Sequence, residues 1–238
     1  MTDPISAIKV VLLFTAATVS HRVHSPPTPP AKAAFMSKFG KGDEMDTVVQ
    51  WVPIIGQVVV WSSTACEIFV LVAPKNPSTF IARLVPISPL STAPELRLSP
   101  LFFIGWILLV LGGGVRLWCF RRLGRLFTYR LSIADDHHLI TTGPYSVVRH
   151  PSYMSWIVFA AGLLTMQMSP GSWFAECGPS DSNLGCAVMA AWVVYNLYLY
   201  TFIPARTRRE DEALKRHFGD EWIRYSKQTP YKLVPGLY

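Results

Sequence analysis

The segment Gly143-Pro144-Tyr145-Ser146-Val147-Val148-Arg149-His150-Pro151-Ser152-Tyr153 sets ring, cation and proline chemistry against the start of an apolar run. Pro144 and Pro151 stiffen the backbone. Arg149 and His150 between them offer fixed donors to an anionic or zwitterionic ligand, and the apolar chain behind offers a lipid-level pocket. Further on, Arg206 and Glu210 stand four apart, which puts a guanidinium and a carboxylate on one helical face. Taken singly, each residue has a structural explanation. His150 reads as a headgroup-level side chain, Tyr145 and Tyr153 as interfacial aromatics, and Arg206 with Glu210 as an i,i+4 pair worth about 0.2–0.5 kcal/mol. Taken jointly, they read as a binding site at a membrane surface.

The elements that must position them are apolar helices. Half of the 238 residues are hydrophobic and only 16% are charged, against about 25% charged in ordinary soluble domains. Five apolar windows stand out: Ile5 to Ser20, Thr47 to Ala73, Pro100 to Phe120, Ser152 to Met168 and Gly185 to Ile203. Each is near the roughly 20 residues that span a bilayer. The first is short and carries Lys9, so an interfacial helix or uncleaved targeting segment is the other reading; Asp3 in place of a positive start argues against a cleavable signal. The expected fold is an all-α integral membrane protein of about five transmembrane helices.

Arg121, Arg122, Arg125, Arg130 and Arg149 crowd one connecting region, and eight Lys or Arg residues follow Ile203, whereas Ser169 to Leu184 has none. The positive-inside rule puts the Arg121 to Arg149 loop and the C-terminal tail in the cytoplasm and, with five spans, the N-terminus on the far side. The net charge of +7 therefore needs no nucleic acid, since the positive-inside bias and anionic lipid account for it. The last two spans form a hairpin, so Tyr153 at its entrance and Arg206 at its exit are expected on one membrane face.

The four cysteines form no CxxC pair and point to no zinc site. Cys66 and Cys119 read as small buried hydrophobes; Cys177 and Cys186, beside the non-cytoplasmic loop, are permitted a disulfide there. The proline-rich stretch from His24 to Asp46 reads as a stiff connector, and Lys75 to Ser99 as irregular. Pro53 is placed to kink the second helix, and Gly112-Gly113-Gly114 to let a neighbour or ligand tail approach the third. Arg116, near the end of that helix, is expected to snorkel to the surface. After Pro204 a helix runs to Gly219, followed by a short one from Glu221 to Lys227. The chain divides into N-terminal transmembrane helices, 1–120, and a core with the last two spans and the tail, 121–238, within a single membrane domain.

From Leu123 to Val234 the landmarks are His137-His138-Leu139-Ile140, Gly143-Pro144-Tyr145, Arg149-His150-Pro151-Ser152-Tyr153, Arg206 followed by Glu210-Asp211, and Phe218-Gly219-Asp220-Glu221-Trp222 with Tyr225 beyond. In order and spacing this succession resembles the isoprenylcysteine carboxyl methyltransferase family and its relatives, which include membrane phospholipid N-methyltransferases. The resemblance implies S-adenosyl-L-methionine as cofactor, held without the glycine-rich turn of soluble dinucleotide-type domains. It implies a cytoplasmic pocket formed by the last two helices, the preceding loop and the tail. Carried over by motif, cofactor binding falls to His137, His138, Leu139, Ile140, Tyr145, His150, Pro151, Ser152, Tyr153 and Glu210. Arg206 meets the substrate carboxylate and is the residue on which catalysis rests. Two positions depart from the family pattern: Ser155, where many relatives have glycine, and Arg130, where prenylcysteine enzymes tend to have an uncharged polar residue.

The residue types suit that chemistry. Glu210 can hold an ammonium, tyrosine faces favour a sulfonium, and the Arg206 fork matches a carboxylate. A prenylcysteine carboxylate is already ionised, so its methylation needs alignment and desolvation and no general base. The implied partners are prenylated proteins and the lipid bilayer, and the implied location is the endoplasmic reticulum. Three other readings stand beside this one. Phospholipid N-methylation would need a base, for which His138 or His150 is available. A NADPH-dependent sterol reductase would need nicotinamide recognition, for which no motif is seen. A non-enzymatic membrane interaction protein would leave the clustered charges without a purpose.

Overall fold

The structure, a computed structural model, describes residues 4–25, 27, 51–72, 96–127, 137–177 and 179–238. Among the described residues the regular structure is helical, with no strand. The helices are α1 (Pro4–His24), α2 (Val52–Val72), α3 (Pro100–Leu123), α4 (Pro151–Gln167), α5 (Trp173–Glu176), α6 (Asn183–Thr201), α7 (Ile203–Phe218) and α8 (Asp220–Gln228). Short 3-10 turns occupy Gly124–Leu126, Gly143–Ser146 and Pro179–Asp181. The polyproline connector, most of the Lys75 to Ser99 segment and Arg130 lie outside the described residues.

Among the described residues four helical stretches are long and apolar enough to cross a membrane: Pro4–His24, Val52–Val72, Pro100–Leu126 and Asn183–Phe218. The fourth apolar window, Ser152 to Met168, forms α4, whose 17 residues extend about 25 Å at 1.5 Å per residue, short of a hydrocarbon core of about 30 Å. The helix ends follow local rules. Ser99 Oγ accepts from the Phe102 N–H at 3.1 Å, capping α3 ahead of Pro100. Pro53 falls in the first turn of α2, where its missing N–H leaves no helical bond unmade; it starts that helix and does not kink it. The tail helix α7 is amphipathic, carries Lys215, Arg216 and His217 in its last turn and stops at Gly219, whose φ is +53°. Those cations oppose the negative end of the helix dipole, and the positive φ is one that glycine adopts without a steric penalty.

The chain forms two compact units, one of Met1–His21, Gly56–Leu111 and Val158–Tyr198, the other of Arg22–Ile55, Gly112–Ile157 and Leu199–Tyr238. In the first unit, polar groups inside apolar helices pair with one another. Lys9 Nζ lies 2.6 Å from Glu67 Oε1 and donates to the Gly171 carbonyl at 2.5 Å, while Glu67 Oε2 accepts from the Trp173 N–H at 3.1 Å. A lone charge at a bilayer centre costs about 2.5–3.5 kcal/mol even on the most lenient scale, so this pairing is what allows Lys9 to be fully buried. Gln167 links α2 and α6 by donating to Ser63 Oγ and accepting from Trp192 Nε1 at 3.2 and 3.1 Å.

The tight helix crossing lies at Gly105 and Gly162, where a Cβ on Gly162 would stand 2.4 Å from the Leu109 backbone nitrogen and 2.6 Å from the Gly105 carbonyl oxygen. The glycine run at 112–114 has another place: Gly112 and Gly113 are buried, and a Cβ on Gly114 would meet open space. Cys177 and Cys186 are both free thiols, the first buried and the second exposed; Cys186 Sγ lies 3.1 Å from the Ser180 carbonyl oxygen. The disulfide permitted by their location is therefore absent.

Candidate active site

The second unit contains the residues singled out for chemistry. Pro151 opens α4, so Ser152 and Tyr153 sit in its first turn, and Arg206 and Glu210 sit in the first two turns of α7. The Tyr153 hydroxyl donates to Glu210 Oε1 at 2.5 Å and accepts from Arg206 Nε at 2.9 Å. Arg206 Nε also lies 3.5 Å from Glu210 Oε1. One phenol thus bridges the guanidinium and the carboxylate.

His150 stands behind them between two carboxylates, with Nδ1 3.1 Å from Glu210 Oε2 and Nε2 3.0 Å from Asp211 Oδ1. Both ring nitrogens facing carboxylate oxygens is the arrangement of an imidazolium, which has two donors. Burial by itself pulls the His150 pKa down, but the bonds and charges of Asp211 and Glu210 outweigh it and hold the ring above its ordinary value.

Asp211, a landmark beside Glu210 to which the sequence assigned no role, is a hub. Besides His150, it meets Arg149 Nη2 at 3.4 Å and Lys232 Nζ at 3.5 Å. Arg149 also donates through Nη1 to the Thr229 and Pro230 carbonyls at 2.9 and 2.8 Å. The backbone N–H groups of Arg149 and His150 donate to the Tyr231 and Lys232 carbonyls at 2.9 and 2.8 Å. The end of the chain therefore holds the approach to α4. A carboxylate adjacent to Glu210 was the available signal for Asp211; the pairing of 149–150 with 231–232 left none.

Tyr145 is buried, and its carbonyl accepts from the Tyr225 hydroxyl at 2.8 Å. Burial, reinforced by Cys119 and Glu210, keeps its phenol well above the ordinary tyrosine value and so neutral. His137 meets the tail through the Phe218 ring, 5.9 Å between centroids. His138 is exposed, and Leu139 and Ile140 are half-buried. Among the described residues the hydrogen-bond network around Tyr153 takes in His150, Arg206, Glu210 and Asp211 but not His138, Leu139 or Ile140.

Arg116 does not snorkel. It is 5% exposed and turns into the protein, where Nη1 donates to the carbonyl and the hydroxyl of Ser152, each at 2.9 Å. Ser155 is buried, and its hydroxyl donates to the same Ser152 carbonyl at 3.0 Å.

Fold and site together define a helical integral membrane protein with a charge-compensated Tyr–Arg–Glu–His–Asp cluster at the start of an apolar helix. Within that class the chain resembles the isoprenylcysteine carboxyl methyltransferase (ICMT) family, whose family model matches residues 105–174. That stretch contains Tyr145 and His150 to Tyr153; Arg206 and Glu210 lie beyond it. The chain is 30% identical over 140 residues to the protein-S-isoprenylcysteine O-methyltransferase of Mus musculus, an alignment covering 58% of this chain and 43% of the mouse protein. It is 29% identical to the enzyme of that name from Dictyostelium discoideum, over 61% of this chain and 54% of the relative. With a probable protein-S-isoprenylcysteine O-methyltransferase of Oryza sativa subsp. indica the identity is 27%, over 53% and 58%. The chain thus spans about half the length of the curated relatives it matches.

Proposed function

We propose that this protein transfers a methyl group from S-adenosyl-L-methionine to the C-terminal carboxylate of prenylated proteins, forming a methyl ester at the membrane surface. The observation that carries the reading is the Tyr153 bridge between Arg206 and Glu210, beside a segment that matches the carboxyl methyltransferase family. The similar proteins from mouse and Dictyostelium discoideum bear the name of that activity.

The residues present fit the donor that the resemblance implies. The Glu210 side chain keeps 23% of its surface exposed and offers a carboxylate to an ammonium, with the Tyr153 ring beside it to favour a sulfonium. His150, Pro151, Ser152, Tyr145 and the segment from His137 to Ile140 are assigned to the same pocket. When bound, the donor supplies a methyl group already activated by positive charge on sulfur.

The rest is the work of the chain. Arg206, 2% exposed, is aimed by Tyr153 and is the group assigned to the substrate carboxylate, where its fork holds two oxygens. That carboxylate is ionised at neutral pH and loses no proton, so the residues align it and exclude water. His150 holds Glu210 and Asp211 through both ring nitrogens, an arrangement that leaves it no free lone pair for base catalysis. This favours a carboxylate acceptor over the amine of a phospholipid, which must be deprotonated before attack. The tail helix and the Arg121 to Arg149 segment are assigned to the cytoplasmic face by their cations, the location to the endoplasmic reticulum, and the methyltransferase core to 121–238.

Transfer of labelled methyl from S-adenosyl-L-methionine to N-acetyl-S-farnesylcysteine, by purified protein in lipid with phosphatidylethanolamine in parallel, tests the reading. Base-labile ester on the farnesylcysteine is expected. Label in the phospholipid, stable to base, would replace this function with N-methylation, and no transfer to either acceptor would defeat both.

A further inference from the structure

Arg116 is a buried cation that the chemistry above does not use. It lies in α3, a helix apolar enough to span a membrane, and it is 5% exposed. A buried guanidinium on such a helix is costly unless it is paired. Its contacts are specific. Nη1 reaches both the carbonyl and the hydroxyl of Ser152, and the guanidinium carbon stands 5.1 Å from the Phe120 ring centre and 5.3 Å from that of Trp156. A planar, delocalised cation can stack on two rings while donating along its edge, and an ammonium cannot.

Ser152 directly precedes Tyr153 in the first turn of α4. First turns have unpaired N–H groups and fray most readily. Trp156, one turn on, packs on the same guanidinium. Arg116 therefore grips α4 at two successive turns, and the first of them carries the hydroxyl joining Arg206 to Glu210. All of these residues belong to the same compact unit.

We infer that Arg116 is a positioning residue for the site, fixing the Ser152–Tyr153 turn so that the Tyr153 hydroxyl meets Arg206 and Glu210 together. This rests on the methyl-transfer reading. Arg116 touches neither substrate nor donor, and its influence passes through Tyr153.

The test is a double-mutant cycle of Arg116→Gln and Tyr153→Phe on the full chain in lipid nanodiscs. Its readouts are kcat and KM for both substrates and, independently of turnover, the Kd of S-adenosylhomocysteine. In the wild-type background Arg116→Gln should lower kcat/KM and weaken analogue binding by roughly tenfold; in the Tyr153→Phe background it should do little more, because residues acting through one contact couple strongly. Arg116→Lys keeps the charge but not the fork, so it should fail to restore activity, and it serves if the Gln variant does not fold. Equal losses in both backgrounds would overturn the inference. So would a smaller active fraction with unchanged KM and Kd, which is the signature of a merely structural residue. A wild-type protein that transfers methyl but shows either of those results defeats the role of Arg116 alone. A wild-type protein that neither binds the analogue nor transfers methyl defeats the methyl-transfer reading and the role with it.

Discussion

The Tyr153 hydroxyl donates to Glu210 Oε1 across 2.5 Å, tying the first turn of α4 to the second turn of α7. The bond fixes the direction of the carboxylate that the proposed function gives to the donor's ammonium. Tyr153→Phe removes this bond and the one from Arg206. Hydrogen bonds to charged groups are worth about 1.5–3 kcal/mol, so the variant is expected to lose roughly ten- to a hundredfold in kcat/KM with little change in melting temperature. Steady-state kinetics beside thermal unfolding checks this; full activity would remove Tyr153 from the site.

Asp211 carries the structural load next door. Arg149, His150 and Lys232 all converge on its carboxylate, which is 9% exposed. Breaking such a buried arrangement from one side costs about 3–5 kcal/mol because the partners keep their charges. Asp211→Asn should therefore lower stability and free the C-terminal segment, seen as increased hydrogen exchange at the Arg149 and His150 amides that bond to Tyr231 and Lys232. Unchanged protection there would show that the backbone pairing stands without the charge hub.

His150 makes stability depend on pH with a definite sign. Its folded pKa is raised above the ordinary 6.5, the bonds and charges of Asp211 and Glu210 prevailing over burial. The folded state thus holds the proton more tightly than the unfolded chain, so the stabilisation is complete below about pH 6.5 and is lost as pH rises through the folded value. Melting temperature in detergent is expected to fall over that interval for the wild-type protein and to fall less for His150→Gln. Parallel slopes would mean that His150 does not carry the effect.

In the other unit, Lys9 and Glu67 form an ion pair between α1 and α2 that also bonds to Gly171 and Trp173. Lys9→Met leaves a buried carboxylate uncompensated and should destabilise by about 3–5 kcal/mol, whereas adding Glu67→Gln, which still offers the Trp173 N–H an acceptor, should recover part of the loss. Additive losses in a thermal-unfolding cycle would show that the two side chains act separately.

Much of this architecture was legible from local pattern. The apolar windows give the helices within a few residues, and Pro204 and Gly219 bracket α7 because each has a backbone preference that acts where it stands. The meeting of Tyr153 with Arg206 could be expected, since a hairpin returns the chain to the face it left. What escaped was set by contacts between distant residues. Arg116 was expected at the surface by its position near a helix end, but only the neighbouring Phe120, Ser152 and Trp156 determine that it turns inward. The close approach of Gly105 to Gly162 likewise gave no local signal, because it depends on which helix face meets a neighbour. Asp211 stood among the landmarks without a role, because Lys232, Arg149 and His150, which meet its carboxylate, come from distant parts of the chain.

The most direct test of the central claim is the division of labour between Glu210 and Arg206, measured as KM for S-adenosyl-L-methionine and for N-acetyl-S-farnesylcysteine in Glu210→Gln and Arg206→Ala. A Glu210→Gln variant that raises mainly the donor KM, with an Arg206→Ala variant that raises mainly the acceptor KM and lowers turnover, is the predicted result. Folded variants with the kinetics of the wild-type protein would contradict the account.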